Sequence, residues 1–250
     1  MYIQRICLVA IILACAPVHA EQNQSDFSFP PPLENGAKPH KLWATHYFVH
    51  VAHTVSSGVA FRDKAGKVVS DKVSPRDWCL AAIEGTVQVT MDGQPRTLNY
   101  GGVGTKSLVD CAAILKIDPA KKPWISGTGR SYFTSALGIY GDGVKGYRLI
   151  PFRTVAVDSK TFPYGTVIFI QRAKGTEITL PSGEVAKHDG YFFAGDTGGA
   201  IKGKHIDVFC GITDKNCFPD FITSDEKAPF DAIEVTDSVV IESLKATHRK

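Results

Sequence analysis

The chain has 250 residues, of which 28 are Lys or Arg and 25 are Asp or Glu, and 44% are hydrophobic. A formal net charge of +3 offers no strongly basic surface, which argues against a nucleic-acid partner. The hydrophobic fraction excludes a disordered chain and predicts a packed core, and the length suits one large domain or two small ones.

Residues 1–20 have the pattern of a secretory signal peptide. Arg5 precedes an apolar run, and Val18-His19-Ala20 is a small-residue cleavage site. The apolar run is shorter than the roughly 20 residues that span a bilayer, so we predict cleavage after Ala20 and export to the periplasm or cell envelope. The alternative is an outer-membrane lipoprotein tethered through Cys15, because Ile12-Leu13-Ala14-Cys15 is an imperfect lipobox.

Four cysteines remain after the signal peptide, and an even number in an exported protein predicts disulfides. Of the three possible pairings, we favour the one that is local in sequence, Cys79 with Cys111 and Cys210 with Cys217. A zinc site is the weaker alternative, because the chain has no Cys-x-x-Cys spacing.

The next segments differ in composition. Residues 21–40 are polar and contain Pro30-Pro31-Pro32, which predicts an extended Pro-rich linker. Residues 41–51 are rich in aromatic and β-branched side chains, so we expect the first strand there. Further along, the pattern predicts a helix near 77–84, a hairpin that turns at 91–94 and a second helix near 107–115.

Three aspartates accompany strand-like segments in the second half of the chain. Asp158 ends the strand pattern of residues 153–158, and a Pro-Tyr-Gly turn follows before the next strand. Asp196 opens a glycine-rich segment that ends at Gly203. Asp207 lies in the middle of a third strand pattern, which is a costly place for a carboxylate.

The ordered segments V-A-V-D, P-Y-G-T, D-T-G-G-A-I-K-G and H-I-D resemble the 3D (three-aspartate) domain of membrane-bound lytic transglycosylase A and the stationary-phase-survival muralytic proteins. A D-T-G triplet alone occurs in unrelated folds, but the ordered set of four segments is specific. The resemblance implies a mainly β fold: a double-psi β-barrel domain over residues 41–225, with a mixed α/β insertion at about 74–140 and a C-terminal segment at 226–250.

The resemblance also implies a function. Members of this family act on peptidoglycan glycan strands, so the chain is expected to be a lytic transglycosylase that cleaves the β-1,4 bond between N-acetylmuramic acid and N-acetylglucosamine without cofactor or metal. Asp207 would then be the acid/base, with Asp196 and Asp158 beside it. The alternative is a non-catalytic glycan-binding barrel, because a fold does not determine a function.

Residues near the motif are candidates for substrate binding. Gly198 and Gly199 permit a close approach of backbone N–H groups to a ligand, and Lys202 follows them. Tyr164 and Tyr132 are candidates for stacking on sugar rings, although aromatic residues at strand spacing are more often part of a core.

Structural interpretations of the acidic residues remain open. Asp158 can cap a turn, Asp196 can form an Asx-turn, and Asp207 can bind the backbone of the glycine-rich loop. Glu84 lies on a predicted helix, where a surface position is expected; it is also the first suspect if the reaction uses a second carboxylate.

The remaining histidines and the C-terminal segment suggest no further site. His46 and His50 would meet only on a helix, and a strand is predicted there, so we expect no metal site. Residues 231–244 fit either an edge strand or a terminal helix, and residues 248–250 are expected to be a frayed tail.

Overall fold

The computed structural model describes residues 27–32 and 38–249, so the predicted signal peptide and Cys15 lie outside the described residues. In chain order the strands are β1 Lys38–Tyr47, β2 His50–Val51, β3 Thr54–Arg62, β4 Val68–Val73, β5 Thr86–Met91, β6 Gln94–Val103, β7 Ser131–Ser135, β8 Thr154–Ala156, β9 Val167–Phe169, β10 Glu177–Thr179, β11 Val185–Lys187, β12 Tyr191–Asp196, β13 His205–Phe209 and β14 Phe230–Glu234. The helices are α1 Pro75–Glu84, α2 Cys111–Leu115, α3 Ile125–Thr128 and α4 Ser238–Thr247, with short 3₁₀ turns at Val144–Gly146 and Gln171–Ala173.

Six of these strands close a barrel in the order β1-β13-β8-β12-β9-β14. The pairs β1–β13 and β8–β12 are parallel, and the other neighbours are antiparallel. Alternate residues such as Leu42, Ile206 and Val208 are fully buried in the main core, as expected for side chains that point into a small barrel. The predicted fold class is confirmed: the protein is mainly β and is built on a double-psi barrel.

The last barrel strand lies nearer the C-terminus than we expected. β14 pairs with both β1 and β9, so the barrel continues beyond residue 225, where we placed its end. The segment 231–244 contains both of the elements proposed for it, a strand and then α4. The change occurs at Asp237, whose carboxylate accepts a hydrogen bond from the Val239 N–H at 2.8 Å and caps the helix.

Residues 50–135 form a second unit with its own sheet, β2-β5-β6-β7, the strand pair β3–β4 and the helices α1 to α3. Its separate core surrounds the fully buried Trp78. This unit has the expected mixed α/β character but begins before residue 74, because the chain leaves the barrel after Tyr47 and residues 50–51 pair with β5. Composition does not mark the point where a chain passes from one sheet to another, so the first strand was predicted too long at its C-terminal end.

Most local predictions in this unit are confirmed. Ser74 caps α1 by accepting a hydrogen bond from the Asp77 N–H at 3.0 Å. The turn between β5 and β6 has positive φ at Asp92 (52°) and Gly93 (74°), as an Asp-Gly hairpin requires. The second helix is shorter than predicted and starts at Cys111, because Asp110 caps it by accepting from the Ala113 N–H at 3.1 Å.

Both favoured disulfides are present. Cys79–Cys111 joins α1 to α2 inside the second unit, and Cys210–Cys217 closes the loop that follows β13. Because disulfides persist in oxidising compartments, the pair indicates an extracytoplasmic location. Within residues 27–32 and 38–249, the structure has no helix with the length and hydropathy of a membrane span.

Residues 27–32, here called the N-terminal strap, lie against the barrel. The Phe27 ring centre is 4.1 Å from the guanidinium carbon of the buried Arg153. The Phe29 N–H donates to Asp189 at 3.3 Å, and the Tyr191 hydroxyl donates to the Pro30 carbonyl at 2.8 Å. The strap therefore packs on the barrel. Residues 38–40 of the predicted linker belong to β1, and residues 21–26 and 33–37 lie outside the described residues.

Candidate active site

The candidate site is organised by the parallel pair β1–β13. Their register places Trp43 opposite His205, Thr45 opposite Asp207 and Tyr47 opposite Phe209. Ala44, Ile206 and Val208, which lie between them, belong to the main core, so these six side chains share the outer face. Two strands that are far apart in sequence thus contribute one polar surface.

Asp207 is held by a single short side-chain hydrogen bond. The Thr45 hydroxyl donates to Asp207 Oδ1 at 2.6 Å. Burial raises the pKa of Asp207 to about 6, while the bond from Thr45 acts in the opposite direction. Asp207 can therefore carry a proton near neutral pH, which an ordinary exposed aspartate cannot.

Asp196 has a matching arrangement two strands further along the barrel. The Tyr47 hydroxyl donates to Asp196 Oδ2 at 2.8 Å. Both Asp196 on β12 and Asp207 on β13 pair with Ala156 of β8, which lies between them. The two aspartates are thus two strand spacings apart, or about 10 Å between their Cα atoms.

The pKa of Asp196 is raised to about 6, chiefly by burial, with a further contribution from the charge of Asp207. Bonds from the Tyr47 hydroxyl and the Thr197 N–H favour the carboxylate. Asp196 therefore both holds the start of the glycine-rich loop and lies in the electrostatic field of Asp207.

Asp158 holds the other end of that loop. Its carboxylate accepts hydrogen bonds from the Gly203 N–H at 2.9 Å and the Lys160 N–H at 3.0 Å, which lower its pKa. Gly203 has a φ of 59°, the conformation for which glycine was expected. Asp158 is thus placed to position the loop.

The residues predicted to bind substrate differ in their exposure and in the atoms that they contact. A Cβ at Gly198 would lie 2.7 Å from the Ile201 side chain, whereas one at Gly199 would meet nothing within 4 Å, and Lys202 is exposed. Tyr164 packs at the edge of the main core. Tyr132 belongs to the second unit, where its ring covers the Gly101–Gly102 backbone of β6.

Glu84 extends from the second unit to the site. The prediction that Glu84 lies at the surface is wrong. It ends α1 and is partly buried, and its Oε2 accepts a hydrogen bond from the Phe48 N–H at 3.3 Å. Burial raises the pKa of Glu84 to about 7, and the charge of Asp207 adds to the shift. The signal available in the sequence was a carboxylate at a helix C-terminus, where the helix dipole disfavours negative charge.

Comparison with known proteins identifies the segment that carries the three aspartates. Residues 153–217 match the family described as the 3D domain. The chain carries a 3D domain. Asp158, Asp196 and Asp207 all lie within it, whereas Thr45, Tyr47 and Glu84 lie outside it.

The fold as a whole is similar to solved lytic transglycosylases at low identity. Escherichia coli MltA with bound chitohexaose is 15% identical with a TM-score of 0.49, over 78% of this chain and 71% of that one. A membrane-bound lytic murein transglycosylase from Agrobacterium tumefaciens is 16% identical with a TM-score of 0.48, over 83% and 78%. LtgG of Burkholderia pseudomallei, a lytic transglycosylase, is 19% identical with a TM-score of 0.39, over 78% and 71%. No curated protein matches the chain in sequence.

Sequence reasoning missed the two hydroxyl donors. Thr45 and Tyr47 are 162 and 149 residues from the aspartates of the 3D domain that they contact. Both lie at alternate positions of β1. If the pairing of β1 with the strand that contains H-I-D had been known, these two side chains would have been identified as neighbours of the site. His50, which we did not expect to be a metal ligand, pairs with Asp77 at 3.0 Å.

The shifted pKa of Glu84 predicts how stability depends on pH. Its folded pKa of about 7 lies above the ordinary value of 4.5, so the contribution to stability is complete below pH about 4.5 and is lost as pH rises towards 7. Glu84→Gln should therefore have little effect on unfolding free energy at pH 4 and should stabilise the protein by about 1–2 kcal/mol at pH 8.

Chemical denaturation of both proteins at several pH values measures this difference. Glu242→Gln is the matched control, because Glu242 is exposed on α4 and pairs only with Lys245, at 3.2 Å. A stability difference for Glu84→Gln that is the same at pH 4 and pH 8 would contradict the raised pKa.

Proposed function

We propose that the protein is a lytic transglycosylase of the cell envelope that cleaves peptidoglycan glycan strands at the β-1,4 bond between N-acetylmuramic acid and N-acetylglucosamine. The observation that carries this proposal is Asp207: a carboxyl group in a 3D domain, fixed by Thr45 and with its pKa raised to about 6. Such a group suits general acid catalysis near neutral pH.

The proposed reaction uses Asp207 twice. The protonated carboxyl first donates its proton to the glycosidic oxygen, and the bond from that oxygen to C1 of N-acetylmuramic acid breaks. The C6 hydroxyl of the same sugar then attacks C1, and the Asp207 carboxylate accepts the hydroxyl proton. Asp207 thus regains a proton in place of the one that it donated. No water is consumed, and the product is a 1,6-anhydro sugar.

Neighbouring residues support these steps in the proposal. The negative charge of Asp196 would oppose ionisation of Asp207, which helps to keep the acid proton in place. Asp158 would hold the loop that carries Gly198, Gly199 and Lys202, so that their backbone and ammonium groups face the glycan. Tyr164, at the edge of the core, is a candidate contact for the glycan. The ring of Tyr132 instead packs against the β6 backbone.

The released product tests the proposal. An aligned intramolecular nucleophile acts at an effective concentration of about 10⁵ M or more, against tens of molar for water, so the C6 hydroxyl should outcompete hydrolysis. Mass spectrometry of muropeptides released from purified peptidoglycan should show anhydro ends, one water lighter than reducing ends.

A glycoside hydrolase is the second candidate, and Glu84 favours it. A carboxylate that faces Asp207 from the second unit could activate water, as the base of an inverting hydrolase does. Reducing ends in the wild-type digest, lost in Glu84→Gln, would establish this function in place of the first. Binding to peptidoglycan with no release at all would instead identify a glycan-binding module.

A further inference from the structure

One contact within the candidate site, that of Thr45 with His205, plays no part in the reaction proposed above. The Thr45 hydroxyl lies 2.6 Å from Asp207 Oδ1 and 2.9 Å from Nε2 of His205. His205 is buried, and its ring is stacked on Trp43 with centroids 3.6 Å apart and planes 8° from parallel. Asp207, Thr45 and His205 thus form a continuous hydrogen-bonded line.

The tautomer of the His205 ring restricts how this line can be protonated. The Ala200 carbonyl, which can only accept, favours the protonated form of the ring. When the neutral ring carries its proton on the nitrogen away from Thr45, the nitrogen that faces Thr45 is bare in neutral histidine and protonated in the imidazolium form. Thr45 has a single hydroxyl proton, which it can give to only one of its two neighbours at a time.

With this tautomer, two arrangements satisfy every member of the line. In the first, imidazolium His205 donates to Thr45, and Thr45 donates to the Asp207 carboxylate. In the second, protonated Asp207 donates to Thr45, and Thr45 donates to neutral His205. When Asp207 is ionised and His205 is neutral, the Asp207 carboxylate and the bare His205 nitrogen both face the one hydroxyl proton of Thr45. One of these two acceptors then lacks a hydrogen bond, which is costly at a buried position.

We propose that Asp207, Thr45 and His205 form a relay that shares one proton, in which Thr45 and His205 are positioning residues that set the protonation of Asp207. To move from the first arrangement to the second, the Nε2–H bond of His205 breaks as a new Oγ1–H bond of Thr45 forms. The original Oγ1–H bond of Thr45 breaks as the Oδ1–H bond of Asp207 forms. An ion pair becomes a neutral pair, and no proton enters or leaves.

The surroundings keep both arrangements accessible. The Trp43 ring, the Ala200 carbonyl and the charge of Glu226 favour the imidazolium, whereas burial lowers the pKa of His205. On the Asp207 side, Asp196, Glu84 and Tyr47 lie within electrostatic range of the carboxyl group on three other elements. Burial raises the pKa of each, and the charge of Asp207 adds to the shift. Burial and neighbouring charges therefore act at both ends of the line on where the proton lies.

For the proposed function, on which this part of the inference rests, the relay stabilises Asp207 in each of its two states. A carboxyl group that acts first as acid and then as base needs a partner in both forms. Thr45 donates to the carboxylate in one arrangement and accepts from the carboxylic acid in the other. The coupling of the two protonation equilibria does not depend on the function.

Imidazole ¹⁵N NMR on the mature protein tests the coupling without any substrate. Asp207→Asn should lower the titration midpoint of His205 by about one pH unit, because it removes the carboxylate that the imidazolium reaches through Thr45. Thr45→Val should also lower the midpoint, and in that background Asp207→Asn should add less than half of its effect in the wild type. Thr45→Ser keeps the hydroxyl and should behave like the wild type.

Two controls separate the relay from simple electrostatics. Glu226→Gln should lower the His205 midpoint equally with and without the Thr45 hydroxyl, because the Glu226 interaction does not pass through Thr45. His53 is exposed on the second unit, and its signal serves as an internal reference. Equal His205 midpoints in wild type and Asp207→Asn, or a full Asp207→Asn effect in Thr45→Val, would overturn the relay.

A parallel assay tests the catalytic part. Thr45→Val removes the donor that stabilises the Asp207 carboxylate, so the alkaline limb of the kcat/KM profile should move to higher pH by about one unit, and Thr45→Ser should restore it. An unchanged profile would overturn the role of the relay in catalysis. A wild-type protein that releases no glycan would refute the proposed function and still leave the NMR result to decide the relay.

Discussion

Asp207→Asn is expected to lower the turnover of glycan strands at least a hundredfold and to leave glycan binding nearly unchanged. Asparagine keeps the shape of the side chain and an oxygen that accepts from Thr45, but it has no proton to donate. General acid–base catalysis contributes about 10²- to 10⁴-fold, and the loss should fall on kcat and not on KM. Release of soluble muropeptides measures turnover, and sedimentation with purified peptidoglycan measures binding.

The controls for this experiment come from the same barrel. Asp231→Asn makes the same chemical change at an exposed position on β14, where Asp231 pairs with Lys41 at 2.7 Å, and it should keep full activity. Asp158→Asn should have an intermediate effect through KM, because it loosens the loop at Gly203. A folded Asp207→Asn protein with near-normal turnover would show that Asp207 is not the acid/base.

Loss of folding does not explain the expected result. Burial disfavours the charged form of Asp207, so its replacement by a neutral side chain removes an unfavourable charge at neutral pH. The variant should therefore unfold at the same temperature as the wild type or above it. Activity and stability are expected to change in opposite directions at this position, as at many functional sites.

Features that depend on local sequence were predicted well. The Asp-Gly turn, the helix predicted near 77–84 and the position of Asp207 within a strand all follow from patterns a few residues long. The pairing of cysteines was also local, with separations of 32 and 7 residues. Such patterns restrict φ and ψ or the spacing of side chains directly, so they remain valid whatever the rest of the chain does.

Features that depend on strand register were not predictable in the same way. The partners of Asp207 and Asp196 come from β1, and nothing in β1 alone indicates which strand lies beside it. His248 shows the same limit: it was expected in a frayed tail but is fully buried, with its ring stacked on Phe193 and its Nε2 3.1 Å from Thr154. Its burial depends on where α4 packs, and no local sequence pattern predicts that position.

Asp189→Asn is expected to destabilise the protein more than any substitution discussed so far, by about 3–5 kcal/mol. The Arg153 guanidinium is fully buried and is bound by both oxygens of Asp189, at 2.7 and 3.1 Å. Asparagine removes the negative charge that binds this buried guanidinium through two oxygens. For a chain of this length the melting temperature should fall by about 10 °C, as measured by scanning calorimetry.

The exposed pair Arg172–Asp220, at 2.9 Å, provides the matched control. Asp220→Asn should cost no more than about 1 kcal/mol, because solvent screens that pair. Adding Arg153→Met to Asp189→Asn should recover part of the lost stability, since it removes the buried positive charge. The N-terminal strap gives an independent readout: Phe29 donates to Asp189 and Phe27 lies against Arg153, so Asp189→Asn should speed proteolytic cleavage within residues 27–32. A melting temperature within about 2 °C of the wild type would mean that other groups neutralise the Arg153 charge and that the strap is held without this ion pair.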